Sequence, residues 1–257
     1  MNDPTMNTSV QHTQQHHPQT AAGRLFEPAP SCIIGEPTNH PVHLAIETVV
    51  VTVGVVALLG ILSSMQAHHL QWFVVPGVLT LAALLPAWIA KRDFPRFGFD
   101  LEHIALSLGT VCRLSIYVFP ILFLALWVIR YLELAIPLQP ILAGRKNGIT
   151  WLLYQFLYVA VAEEVFFRGY VQANVMSFLD RVPRLSWIGQ QRITILLSAA
   201  CFAAAHVVVQ GHALSVLTFL PGLLLAWLFI ETRSLLAPIL FHGLANVSYG
   251  IMAITLA

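Results

Sequence analysis

The chain has 257 residues, 57% of them apolar and only 10% charged, against roughly 45–50% and about 25% in soluble globular proteins. Mean hydropathy is +0.75 and the formal net charge is +1. So few charges cannot cover a soluble fold of this size, which excludes a free-standing cytosolic enzyme, and so even a balance excludes nucleic acid as a partner. The composition is that of an integral membrane protein. Its three cysteines, Cys32, Cys112 and Cys201, fit no metal or redox spacing and imply no disulfide framework.

Residues 1–40 differ from the rest. Gln, His, Pro, Thr and Asn dominate, as in Gln11-His12-Thr13-Gln14-Gln15-His16-His17-Pro18. Such a stretch buries too little apolar surface to offset chain entropy and is predicted to be a disordered polar tail. It has no charged n-region leading into a short apolar stretch, so no cleavable signal peptide is expected.

Residues 41–257 read as an all-α polytopic membrane bundle. Apolar runs of about twenty residues, the length that spans ~30 Å of hydrocarbon, recur at 44–65, 71–90, 114–134, 151–178, 192–210, 213–231 and 234–256. Seven spans are expected, with six and eight as bounds because the boundary between the fifth and sixth is weak. Helices are the spanning form, since each satisfies its own backbone groups within lipid. Segment 97–113 is amphipathic and predicted to lie at the interface. The short links Gly211-His212 and Glu231-Thr232-Arg233 make the last three spans antiparallel neighbours. Nine Lys and Arg residues fall on one side (Arg24, Lys91, Arg92, Arg96, Arg113, Arg181, Arg184, Arg192, Arg233) and three on the other (Arg130, Arg145, Lys146). That asymmetry predicts a cytoplasmic N-terminus and, with seven spans, an external C-terminus.

Ionisable residues within a span are costly and mark function by default. Glu163, Glu164, Arg168, His206 and His242 stand out. Glu47 and Glu133 sit close to span ends and read as interfacial. In span four, Glu164 and Arg168 are i and i+4, stacked on one face and able to form a charge-assisted pair. Glu163 points about 100° away and has no partner within its helix. One carboxylate is thus held and the other free for acid–base work. In span five, Ala203-Ala204-Ala205 precedes His206 and leaves a small face that a neighbouring helix can approach. In span seven, His242 and Asn246 share a face. Two glutamates, an arginine, two histidines and an asparagine on three helices exceed what a structural polar staple needs. Phe166, Phe167 and Tyr170, beside this set, read as lipid-facing, with an apolar substrate groove as the alternative.

Glu163-Glu164-x-x-x-Arg168, Phe202-x-x-x-His206 and His242-x-x-x-Asn246, in that order on apolar helices, resemble the CPBP family, which comprises CAAX prenyl endopeptidases, bacteriocin-processing and abortive-infection-type membrane proteins. The resemblance covers about residues 150–250. It implies a glutamic-type intramembrane endopeptidase that cleaves near the C-terminus of a membrane-anchored or lipid-modified protein or peptide. In that reading Glu163 and His206 activate the attacking water, His242 and Asn246 form the oxyanion hole, and Glu164 with Arg168 supports the site. The residue types suit those tasks, because hydrolysis needs a base, a proton donor for the leaving amine and donors aimed at the oxyanion. A bacterial inner-membrane setting is expected. Two histidines and a carboxylate can also compose a zinc site with an open position. No His-Glu-x-x-His occurs, and each candidate ligand has another role, so a metal-free site is the expectation.

Other chemistries fit less well. Asp3, Asp93, Asp100 and Asp180 all lie outside the expected spans, which removes an aspartyl dyad, and no Gly-x-Ser offers a serine nucleophile. Cys112 and Cys201, in apolar surroundings, should be inert. A non-proteolytic scaffold or immunity-type protein is the main alternative function. A proton-coupled transporter is a third, opposed by the crowding of polar residues into the last 110 residues with no matching first half.

Overall fold

The computed structural model describes residues 41–65, 68–90, 103–133, 148–182 and 185–255. The expectation for residues 1–40 lies outside them. Among the described residues every regular element is helical, and seven apolar helices follow one another: α1 Pro41–Ser64, α2 His68–Ile89, α3 Ile104–Tyr131, α4 Gly148–Leu179, α5 Trp187–Gln210, α6 Ala213–Thr232 and α7 Leu236–Thr255. Five of them (α1, α3, α4, α5 and α6) are long and apolar enough to cross a membrane. The apolar stretches in α2 and α7, Phe73–Ile89 and Leu236–Met252, are shorter. The protein is an all-α, polytopic integral membrane bundle.

Exposed Val49, Val53, Ile61, Leu81, Ile116, Ile121 and Leu220 give the bundle an apolar exterior. In water such a surface would be a liability, whereas in acyl chains it is matched. Some polar residues inside the helices bond to nearby carbonyls. Thr48 Oγ1 donates to Leu44 O at 2.8 Å and Thr232 Oγ1 to Leu228 O at 2.8 Å. Pro76, Pro86 and Pro120 sit inside helices, as membrane helices permit.

One expectation is corrected in α3. Residues 104–113 are not a separate interfacial segment but the first turns of a continuous 28-residue helix; 97–102 lie outside the described residues. At 1.5 Å per residue a helix of that length is ~42 Å long, about two turns more than the hydrocarbon requires. The amphipathic pattern therefore marks the end of a long helix, and Arg113 lies within it. Only Ser107 and Val111 of α3 are buried, and α3 packs chiefly on α7.

The core forms where α4 is enclosed by α1, α2, α5, α6 and α7. Phe166, Phe167 and Tyr170 are at most 2% exposed. They are core residues, and the lipid-facing expectation is corrected: Phe166 stacks on Tyr170, and Phe167 meets Phe202 of α5 edge-to-face. Glu47, in the first turns of α1, accepts a hydrogen bond on Oε1 from Tyr170 Oη at 3.1 Å across α1 and α4. Helices α5 and α6 come close at Ala199 and Gly222, where a Cβ on Gly222 would stand 3.3 Å from Ala199 Cα. Ala203 and Ala205 are buried, but Ala204 is exposed, so the alanine run is only partly a packing face.

The link from α5 to α6 turns on Gly211, whose φ of 68° is left-handed and suits glycine. That turn is short enough to lay the two helices side by side. Arg233, with φ 52°, closes α6 in the same way before α7 begins.

Candidate active site

The site is built on an irregular helix. α4 is α-helical at 148–153, then has π-helical turns at Tyr154–Ala160, an α turn at Val161–Glu164, a second π segment at Val165–Gln172 and a final α stretch to Leu179. π turns are rare and are frequently found at functional sites. Here they flank Glu163 and Glu164 on both sides.

Glu164 and Arg168 are both fully buried. Arg168 Nη1 donates to Glu164 Oε1 at 3.1 Å, and Nε makes an ionic contact with Oε2 at 3.1 Å. Arg168 Nη2 donates to Gly222 O of α6 at 3.2 Å, and the guanidinium lies 4.7 Å from the Phe202 ring centroid. One turn on, Gln172 Nε2 donates to Ala226 O at 2.9 Å. Residues 164, 168 and 172 thus form a polar stripe that ties α4 to two carbonyls one turn apart on α6. The i, i+4 pairing read from the sequence is present; the anchoring on α6 is a tertiary feature.

His242 of α7 joins this pair. Its Nδ1 donates to Glu164 Oε1 at 2.7 Å. A carboxylate accepts, so Nδ1 carries the proton and Nε2 faces the other glutamate. Glu163 Oε2 lies 3.8 Å from His242 Nε2 and 3.9 Å from His206 Nε2, and it has no hydrogen-bond partner. The His206 ring is set by its own helix: Nδ1 donates to Phe202 O at 3.0 Å, a carbonyl that can only accept. That choice of tautomer leaves the Nε2 lone pair directed at Glu163. Glu163 and His206 are 16% and 20% exposed, more open than His242 at 8%. Glu163 also lines a cavity of about 220 Å³ with Ser63, Val75, Leu79, Tyr154 and Val209.

Residues 145–248 match the family model described as type II CAAX prenyl endopeptidase Rce1-like. Through this segment the chain is similar to the CPBP group of CAAX proteases. All six candidate residues fall inside it. That match, together with the apolar helices, supports membrane-embedded peptide hydrolysis of the CAAX-endopeptidase kind. No curated protein and no solved structure matches the chain.

Two of the expected residues, His206 and His242, come within 4 Å of Oε2 of a third, Glu163, with Glu164 and Arg168 behind them. Asn246 has a different neighbour: its Nδ2 donates to Gln155 Oε1 of α4 at 2.9 Å. Sequence reasoning missed Gln155. A glutamine in an apolar helix is a weak signal, and its partner is 91 residues away.

Zinc bound tetrahedrally at ~2.1 Å brings its N and O ligand atoms about 3.4 Å apart. Here the carboxylate oxygen stands 3.8 and 3.9 Å from the two imidazoles. Among the described residues no group of three or more His, Cys, Asp and Glu is arranged to hold a metal ion. In this arrangement the three atoms stand farther apart than the ligands of a tetrahedral zinc ion.

Proposed function

We propose that this chain is a glutamic-type intramembrane endopeptidase working without a metal, which hydrolyses a peptide bond near the C-terminus of a membrane-anchored or lipid-modified protein or peptide. The observation that carries the reading is the unpartnered Glu163 Oε2 between two imidazole nitrogens, 3.9 and 3.8 Å away. Those gaps are too wide for direct hydrogen bonds, and a water ~2.8 Å from both the oxygen and His206 Nε2 fits the first. Glu163 and His206 Nε2 take the proton of that water as its oxygen attacks the scissile carbonyl. The protonated partner then returns a proton to the leaving amine, so one pair serves as base and acid in turn.

The oxyanion is met from α7. Asn246 donates one Nδ2 hydrogen to Gln155 and has a second for the substrate oxygen, whatever the pH. His242 has its Nδ1 hydrogen committed to Glu164, so it donates from Nε2 only as the imidazolium. Glu164 and Arg168, out of reach of solvent, orient His242 and contact no substrate. The setting proposed is a bacterial inner membrane with the N-terminus in the cytoplasm, from the nine-to-three distribution of basic residues.

The test uses the purified full chain in micelles with two internally quenched peptides. One ends in a farnesylated C-a-a-X sequence and the other is its unprenylated twin. Cleavage is read by fluorescence and the scissile bond by mass spectrometry. Glu163→Ala and His206→Ala are expected to abolish cleavage while expression and detergent stability stay near wild type. Activity retained in both variants would remove the base assignment, and a wild type inert towards both peptides would favour the non-proteolytic scaffold.

A further inference from the structure

We infer that Gln155 is a positioning residue for the hydrolysis: it holds the Asn246 amide so that the second Nδ2 hydrogen is presented to the carbonyl oxygen of the scissile peptide. The inference rests on the proposed role of Asn246 and adds the residue that makes it work. A side-chain amide is close to symmetric in shape, with an acceptor and a donor end that exchange on a half-turn of its last torsion. An asparagine free to turn would offer its oxygen to the developing oxyanion as readily as its nitrogen. The first orientation repels negative charge and only the second stabilises it. A fixed acceptor on one Nδ2 hydrogen removes the wrong orientation.

In the observed arrangement Gln155 supplies that acceptor. It is buried, its Oε1 stands 2.9 Å from Asn246 Nδ2, and it sits on a helix other than the one carrying Asn246. Its placement is built into the fold. Gln155 belongs to the first π segment, Tyr154–Ala160, which packs against α7. The next residue, Phe156, lays its ring against Gly243, where a Cβ would overlap the ring and come within 2.8 Å of Cγ. A glycine at 243 therefore lets α7 close on α4 beside Gln155. The two helices are joined by two polar ties, His242 to Glu164 and Asn246 to Gln155, one turn of α7 apart. The first sets the His242 imidazole, and the second sets the Asn246 amide.

The test is a cycle on the full chain with the farnesylated peptide, comparing Gln155→Met, Gln155→Glu, Asn246→Ala and the double variant Gln155→Met/Asn246→Ala, with Glu163→Gln as control. Gln155→Met keeps the length of the side chain and loses the acceptor; Gln155→Glu keeps the acceptor. Asn246→Ala is expected to lower kcat by about 10²–10³-fold, as loss of one oxyanion donor does. Gln155→Met is expected to lower kcat at least tenfold with KM within twofold and unchanged thermal stability, and Gln155→Glu to recover most of that loss. In the Asn246→Ala background Gln155→Met should change kcat less than twofold, because there is no amide left to orient. A merely structural Gln155 would lower kcat by the same factor in both backgrounds, and that result overturns the inference. So does wild-type kcat in Gln155→Met while Asn246→Ala and Glu163→Gln are impaired, which leaves the hydrolytic reading standing. Full activity in Asn246→Ala overturns both the oxyanion role and this inference, whereas cleavage surviving in Glu163→Gln removes the proposed base.

Discussion

Replacing Arg168 by Met should be among the most damaging single substitutions in this chain for stability. Met keeps much of the stem volume and loses the charge, so the change isolates electrostatics from packing. The side chain removed makes two hydrogen bonds, to Glu164 and to Gly222 O, and a second ionic contact with Glu164 at 3.1 Å. Removing one member of a buried ion pair costs about 3–5 kcal/mol, because the other charge is left without its partner in a medium that solvates it poorly. Glu164 retains His242 Nδ1 at 2.7 Å, so the loss should fall at the lower end, about 3 kcal/mol. Unfolding of the purified protein by SDS titration in mixed micelles reads this as a shift in midpoint at constant slope. Glu164→Gln on the Arg168→Met background removes the stranded charge and should restore more than half of the loss. A loss below about 1 kcal/mol in Arg168→Met, or no recovery in the double variant, would refute the argument that a charged, dry Glu164 depends on Arg168.

Three further outcomes are expected. Gly243→Ala forces a methyl into the Phe156 ring and should cost about 1–3 kcal/mol in the same SDS titration, with Phe156→Leu restoring part of it; a neutral effect would mean that α7 does not close on α4 as described. Dialysis against phenanthroline and EDTA should leave the rate of peptide cleavage within twofold of the untreated enzyme, and a loss restored by added zinc would return the metal to the mechanism. A C-terminal alkaline phosphatase fusion should be active and a C-terminal green fluorescent protein dark in a bacterial host, as an external C-terminus requires; the reverse pattern would invert the proposed topology.

Much of the bundle was legible in the chain because lipid imposes so simple a rule. A span must be helical and apolar for about twenty residues, so a run of hydropathy nearly equals an element. Each of the seven runs read from the sequence lies on one of the seven helices, and the boundaries differ by a few residues except at the start of α3. There the amphipathic turns at 104–113 were separated from a helix that they in fact begin, because hydropathy reports the depth of a residue and not whether the backbone continues. Glu163, Glu164, Arg168, His206 and His242 were visible for the converse reason. Charge and imidazole on apolar helices are costly, so their presence alone sets them apart.

What the sequence determined by itself was the material: where the apolar helices of the described residues lie, which side chains cannot be lipid-facing, and that Glu164 and Arg168 share a face. Only the tertiary structure decided the partners. It brought His242 to Glu164 across 78 residues and Gln155 to Asn246 across 91, buried Phe166, Phe167 and Tyr170 in the core, and turned Glu47 towards Tyr170. Helical periodicity fixes the angle of a side chain about its own axis but says nothing of which helix lies opposite, or at what height. Those follow from where small residues such as Gly222 and Gly243 allow backbones to close, and from turns of π-helix that shift the register of α4.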